Sequence, residues 1–242
     1  MTERRVFLSA EWRDLVMLNY EVEPAILRQY VPSGVELDMF ERRTFVSLVG
    51  FQFLRTKLYG FLAVPFHNNF AEVNLRFYVR RREAGGEERR GVVFIRELVP
   101  RVALAGLARL MYGEKYDACP MEHRIERGAD GISAEYGWDW RGEPYRLSAE
   151  AHGEPARVAE GSIENFITEH YWGYSAKSAS ETIEYRVSHE PWRAWVSTNA
   201  RFEGDSGALY GAGFGEILRR APASAFIAEG SPVLVHTGRR IS

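Results

Sequence analysis

The segment Glu72-Val73-Asn74-Leu75-Arg76-Phe77-Tyr78-Val79 alternates polar and apolar side chains without a break. Successive side chains of a strand point to opposite faces, so Glu72, Asn74, Arg76 and Tyr78 share one face and the other is wholly apolar. Two readings follow. The polar face is either solvated, or it walls a pocket in which buried polar groups must satisfy one another and Arg76 can bridge Glu72 or a ligand carboxylate. Arg96-Glu97 ends an apolar run that leads directly into a helical pattern. These charges serve either a site or the junction itself, as caps and surface pairs. Glu169-His170-Tyr171-Trp172-Gly173-Tyr174 is dense in polar aromatic tips, with His170 readable as a satisfied structural histidine or as a site residue. His189-Glu190-Pro191-Trp192 reads first as a turn.

Familiar chemistries lack their motifs. The chain has no Walker loop, no GxGxxG after a strand, no HExxH and no GxSxG. Gly211-Ala212-Gly213-Phe214-Gly215 lacks dinucleotide spacing and reads as a loop. The single cysteine, Cys119, excludes an intramolecular disulfide and the usual structural zinc patterns. His123 lies close to it in sequence, but nothing orients that histidine for nucleophilic chemistry. No metal or cofactor is called for. Of 31 basic side chains only Lys57, Lys115 and Lys177 are lysines, so any amine chemistry has three candidates.

The 242 residues, 45% hydrophobic and 13% aromatic, suffice for one β-rich unit spanning residues 1–242. A net charge of −2 gives no global field favouring nucleic acid or anionic lipid. Arg80-Arg81-Arg82 is offset at once by Glu83, Glu87 and Glu88 and reads as a solvated hairpin end. Without an apolar leader or a stretch of about 18 apolar residues, a cytoplasmic protein is expected. Strand patterns cover residues 15–22, 35–40, 44–53, 70–79, 91–99, 132–140, 145–151, 181–187, 192–202 and 232–236. Residues 83–90, with Gly85-Gly86, read as the turn of an antiparallel hairpin. Helical patterns follow Pro24, span 101–112 after Pro100, and span 163–170 with Ser162 as N-cap. The fold class is α+β, mainly antiparallel β with a few short helices.

The chain resembles the YqjF-like family of uncharacterised conserved proteins, placed in the acetoacetate decarboxylase-like superfamily. The resemblance spans nearly the whole chain. It is carried by Phe70-Ala71-Glu72-Val73-Asn74-Leu75-Arg76-Phe77-Tyr78-Val79, by Tyr112-Gly113-Glu114-Lys115-Tyr116, and by Phe166-Ile167-Thr168-Glu169-His170-Tyr171 with His189-Glu190-Pro191-Trp192. The superfamily link rests on Tyr20, Leu27-Arg28, Val31-Pro32, Arg96-Glu97-Leu98 and residues 222–235. It implies a curved antiparallel sheet or cone-like barrel around a small pocket. It also implies that Arg13 falls at an active-site arginine, and that Arg96-Glu97 matches the pair preceding the decarboxylases' catalytic Pro-Lys-Lys. Here Val102-Ala103-Leu104 stands in that place, and such side chains cannot form a Schiff base.

The expected function is binding of a small carboxylate or other anion, with Arg13, Glu72, Asn74, Arg76, Tyr78, Arg96 and Glu97 as pocket groups. Lys115, Tyr116 and His170 are further candidates. One rival is a lyase or hydrolase of small carbonyl acids using Lys115 or a Glu–Tyr pair. The other is a non-catalytic interaction module. The expected partner is a small molecule, with no nucleic acid or membrane, and self-association is left open.

Overall fold

The computed structural model describes residues 5–59, 62–63, 68–100 and 116–241. The helical pattern at 101–112, with Val102-Ala103-Leu104, and Lys115 lie outside the described residues. The strands are β1 (Val6–Val22), β2 (Glu36–Leu37), β3 (Thr44–Leu58), β4 (Leu62–Ala63), β5 (Phe70–Arg82), β6 (Glu88–Val99), β7 (Tyr116–Ala118), β8 (Met121–Gly128) and β9 (Gly131–Trp140). They continue as β10 (Glu143–His152), β11 (Ala156–Arg157), β12 (Trp172–Ala176), β13 (Thr182–His189), β14 (Arg193–Val196), β15 (Asn199–Glu203), β16 (Ser224–His236) and β17 (Arg239–Ile241).

Neighbours in the larger sheet run β16, β1, β3, β5, β6, β12, β13, and β13 pairs again with β16 through Val187↔Val235. The path therefore closes on itself as a barrel. Closure leaves these strands no free edge along the ring. The pairings are antiparallel except β6 with β12 and β6 with β7, which are parallel, so the expected antiparallel barrel is a mixed one. A smaller sheet, β15-β10-β9-β8, covers one outer face of the barrel. Its Tyr136 ring lies so close to β3 that a Cβ on Gly50 would come within 2.7 Å of it, hence a glycine there.

Strand alternation divides the apolar residues between two places. Val73, Leu75 and Phe77 of β5 pack with Val46, Leu48, Tyr136 and Leu147 in the core between barrel and outer sheet. Leu15, Met17, Phe51, Phe53 and Tyr78 belong to a second cluster on the inner side of the barrel. β1 changes register between Arg13 and Val16, where Asp14 takes a left-handed φ of 56°. Opposite this kink Gly230 has φ +78°, and a Cβ there would stand 1.9 Å from the Trp12 carbonyl oxygen. Only glycine meets both conditions.

Several expected elements change on folding. Residues 192–202 are two strands in different sheets, β14 beside β16 and β15 beside β10. Gly211–Gly215 is not a loop throughout, because Ala212–Gly215 forms one helical turn. The helix expected at 163–170 is Ile163–Thr168, and the Ser162 hydroxyl caps it by accepting the Asn165 N–H at 3.1 Å. The β5–β6 hairpin end is not simply solvated. Arg81 turns inward with Arg89 and Arg239 onto the fully buried carboxylate of Glu184, at 3.1, 2.9 and 2.9 Å. Among the described residues, no helix is long and apolar enough to cross a membrane.

Candidate functional site

The barrel lumen holds a cavity of about 130 Å³. Cavities of comparable volume accept one benzene-sized body. Its polar wall comes from three adjacent strands. Asn74 of β5 stands beside Glu97 of β6, which stands beside Tyr116 of β7, and Glu72 and Arg76 flank Asn74 on the same face. Glu72, Asn74, Arg76 and Glu97 are all buried. Asn74 Nδ2 donates to Glu72 Oε1 at 2.9 Å, and the Tyr116 hydroxyl donates to Glu72 Oε2 at 3.3 Å. Arg76 does not pair with Glu72. No carboxylate among the described residues pairs with it, and its Nε is buried without a hydrogen-bond partner. Asn74 Oδ1 is likewise unpartnered.

The neighbouring level is closed by Tyr78. Its hydroxyl donates to Ser47 Oγ at 2.5 Å, and Ser47 donates to Asn19 Oδ1 at 2.5 Å. His170 lies against Tyr78, ring centroids 4.6 Å apart, and also lines the cavity. Its Nε2 meets Asp38 Oδ2 at 3.0 Å, and Arg90 Nε donates to the same oxygen at 2.7 Å. Burial opposes the Asp38 charge, but the hydrogen bonds from His170 and Arg90 outweigh it and hold the carboxyl below its usual range. A carboxylate only accepts, so the proton sits on Nε2 and the Nδ1 lone pair is left buried without a partner. Burial lowers the His170 pKa to about 4, which keeps the ring neutral at pH 7. Asp38 has no local sequence signal. It meets His170 across 132 residues of chain.

Arg13 and Arg96 stand elsewhere, each for a reason of alternation. Trp12 points into the lumen, so Arg13 points out, where it pairs with Glu11 at 2.9 Å. Glu97 points in, so Arg96 points out, with its guanidinium 4.9 Å from the centre of the Trp140 ring and 3.6 Å from Asp117. A bulge between Leu75 and Arg76 puts both Phe94 and Glu97 on the lumen side. Lys57 and Lys177 are exposed and do not line the cavity. Burial, with Asp117 and Asp139 nearby, pushes the Cys119 thiol up to about 12, so it carries no thiolate at pH 7.

Burial pushes Glu72 up to about 7, against the lowering effect of its hydrogen bonds from Asn74 and Tyr116 and of the Arg76 charge. The consequences for stability have opposite signs. Between about pH 4.5 and 7 the unfolded chain has lost the Glu72 proton while the folded chain keeps it, so stability falls as pH rises. Between pH 6.5 and about 4 the unfolded chain gains a proton at His170 and the folded chain does not, so stability falls as pH drops. The two slopes oppose each other in overlapping windows. Glu72→Gln is therefore expected to gain stability relative to the parent as pH rises from 4.5 to 7, by on the order of 3 kcal/mol. Urea midpoints of both proteins across that range test this, and parallel profiles would refute the assignment.

A family model described as an uncharacterised conserved protein family, DUF2071, matches residues 9–232. The chain belongs to the DUF2071 family. It is 24% identical over 182 residues to the uncharacterised protein YqjF of Bacillus subtilis strain 168, covering 75% of this chain and 72% of that one. Its fold is that of the acetoacetate decarboxylase-like enzymes. The acetoacetate decarboxylase of Legionella pneumophila superposes with a TM-score of 0.70 at 12% identity, covering 98% of this chain and 87% of that chain. The enduracididine biosynthesis enzyme MppR, solved in complex with pyruvate, superposes with a TM-score of 0.68 at 13% identity, covering 100% and 92%.

Proposed function

We propose that this DUF2071 protein binds a small carboxylic acid in the barrel lumen and does not process it through a Schiff base. The observation that carries the reading is Arg76, the one guanidinium lining the cavity among the described residues, buried and with no carboxylate partner among them. A guanidinium holds a carboxylate through paired N–H donors. Glu72, half protonated near neutral pH, adds an O–H donor beside it. The pyruvate complex of MppR supports the same ligand class on this fold. Against amine chemistry stand Val102-Ala103-Leu104 in place of a Pro-Lys-Lys, and two exposed lysines away from the cavity.

Two measurements test the reading. Calorimetry with pyruvate is expected to show binding that is tighter at pH 6 than at pH 8, because an anion favours protonated Glu72. Binding that strengthens with pH would count against it. Borohydride added with acetoacetate or pyruvate is expected to give no covalent adduct by mass spectrometry. A stoichiometric adduct at Lys115, lost in Lys115→Gln, would overturn it.

One observation favours a catalytic reading instead. Glu72 is poised near neutrality with Tyr116 donating to it, and a carboxyl so placed can exchange a proton with substrate at pH 7. Deuterium exchange into the methyl group of pyruvate, abolished in Glu72→Gln, would establish that second reading.

A further inference from the structure

The cavity changes character along its length. Register places Phe51 across from Glu72, and one level further Phe53 lies across from both Phe70 and Trp12. From Arg76 to Phe70 the strand rises roughly 20 Å, at about 3.3 Å per residue. The far end is therefore an aromatic collar. Phe51 and Phe53 are 5.1 Å apart between ring centres, and Trp12 meets them edge-on at 5.4 and 5.9 Å. Trp192 stands 6.3 Å from Trp12 and stacks on His189 at 4.4 Å. The indole N–H of Trp12 is buried and has no acceptor among the described residues.

We propose that the acid bound here is an aryl carboxylate, with its carboxylate on Arg76 and a single ring against the near edge of the collar, at Phe51. This rests on the carboxylate reading above and adds the ring. A volume of about 130 Å³ limits the ring to one. Collar faces meeting at tilted and edge-on angles favour an aromatic guest, since aromatic pairs gain about 0.5–1.5 kcal/mol beyond the area they bury.

The test titrates the full chain with acetate, phenylacetate and benzyl alcohol. The first two differ only by the ring, and the third keeps the ring but drops the charge. Phenylacetate is expected to bind roughly 10- to 100-fold tighter than acetate, the ratio that burying one phenyl group supplies. Phe51→Leu is expected to erode phenylacetate affinity several-fold more than acetate affinity. Equal binding of the two acids, or equal losses in Phe51→Leu, would sink the aryl inference and leave the carboxylate reading standing. Benzyl alcohol binding with no binding of either acid would sink the carboxylate reading and this inference with it, as would the failure of all three to bind.

Discussion

Arg76→Gln is expected to weaken pyruvate binding roughly 30- to 4000-fold, the range for truncating one side of a buried, hydrogen-bonded charge pair. Glutamine keeps two N–H donors on a shorter side chain and removes the charge with the paired fork, so the loss reports on the guanidinium. The fold should tolerate the change, because no carboxylate among the described residues depends on Arg76, and Glu72 takes its hydrogen bonds from Asn74 and Tyr116. Loss of the neighbouring positive charge is expected to raise Glu72 further and move the pH dependence of binding upward. Calorimetry at several pH values measures both effects. Unchanged affinity in a folded Arg76→Gln protein would refute the carboxylate reading.

The largest expected effect on stability belongs to Glu184→Ala. The Glu184 carboxylate is fully buried and receives Arg81, Arg89 and Arg239, with the Tyr174 hydroxyl at 3.4 Å. Removing it leaves three cations with two remaining acids, Glu83, which meets all three, and the exposed Glu87, which meets Arg89 alone. Breaking a buried ion pair costs about 3–5 kcal/mol, and partial exposure of Arg239 points to the lower end. Arg239→Ala, which removes a half-exposed partner, should cost about 1 kcal/mol or less. Urea midpoints of the two variants give the comparison, and equal shifts would contradict this account of where the network is anchored.

What the sequence revealed about the site followed from period-two alternation. Glu72, Asn74 and Arg76 could be placed on one face of one strand because nothing but the strand repeat was needed. The same logic, applied within a single strand, also separates Arg96 from Glu97 and Arg13 from Trp12, although the resemblance set Arg13 among the pocket groups, and the strand-end position together with the resemblance set Arg96 there. The division of residues 192–202 between two sheets was not legible, since Ser197-Thr198 carries neither glycine nor proline to mark the break. Asp38 was silent for a different reason. Its role is defined by His170 and Arg90, which reach it only after the barrel has closed. The aromatic collar is similarly assembled from three segments, Trp12 on one strand, Phe51 and Phe53 on another, and Trp192 in a stretch that reads locally as a turn.

The two faces of β5 answer to different demands. Val73, Leu75 and Phe77 are held by close packing against the outer sheet, where a change of one methylene is felt as strain or void. Glu72, Asn74 and Arg76 face a lumen whose walls are braced by the ring of strands and do not need those particular side chains to stay closed. A lineage can therefore rewrite the chemistry of the lumen one alternate position at a time, with little penalty in foldedness along the way. Such a scaffold can keep its shape while the reaction it houses, or the absence of one, drifts.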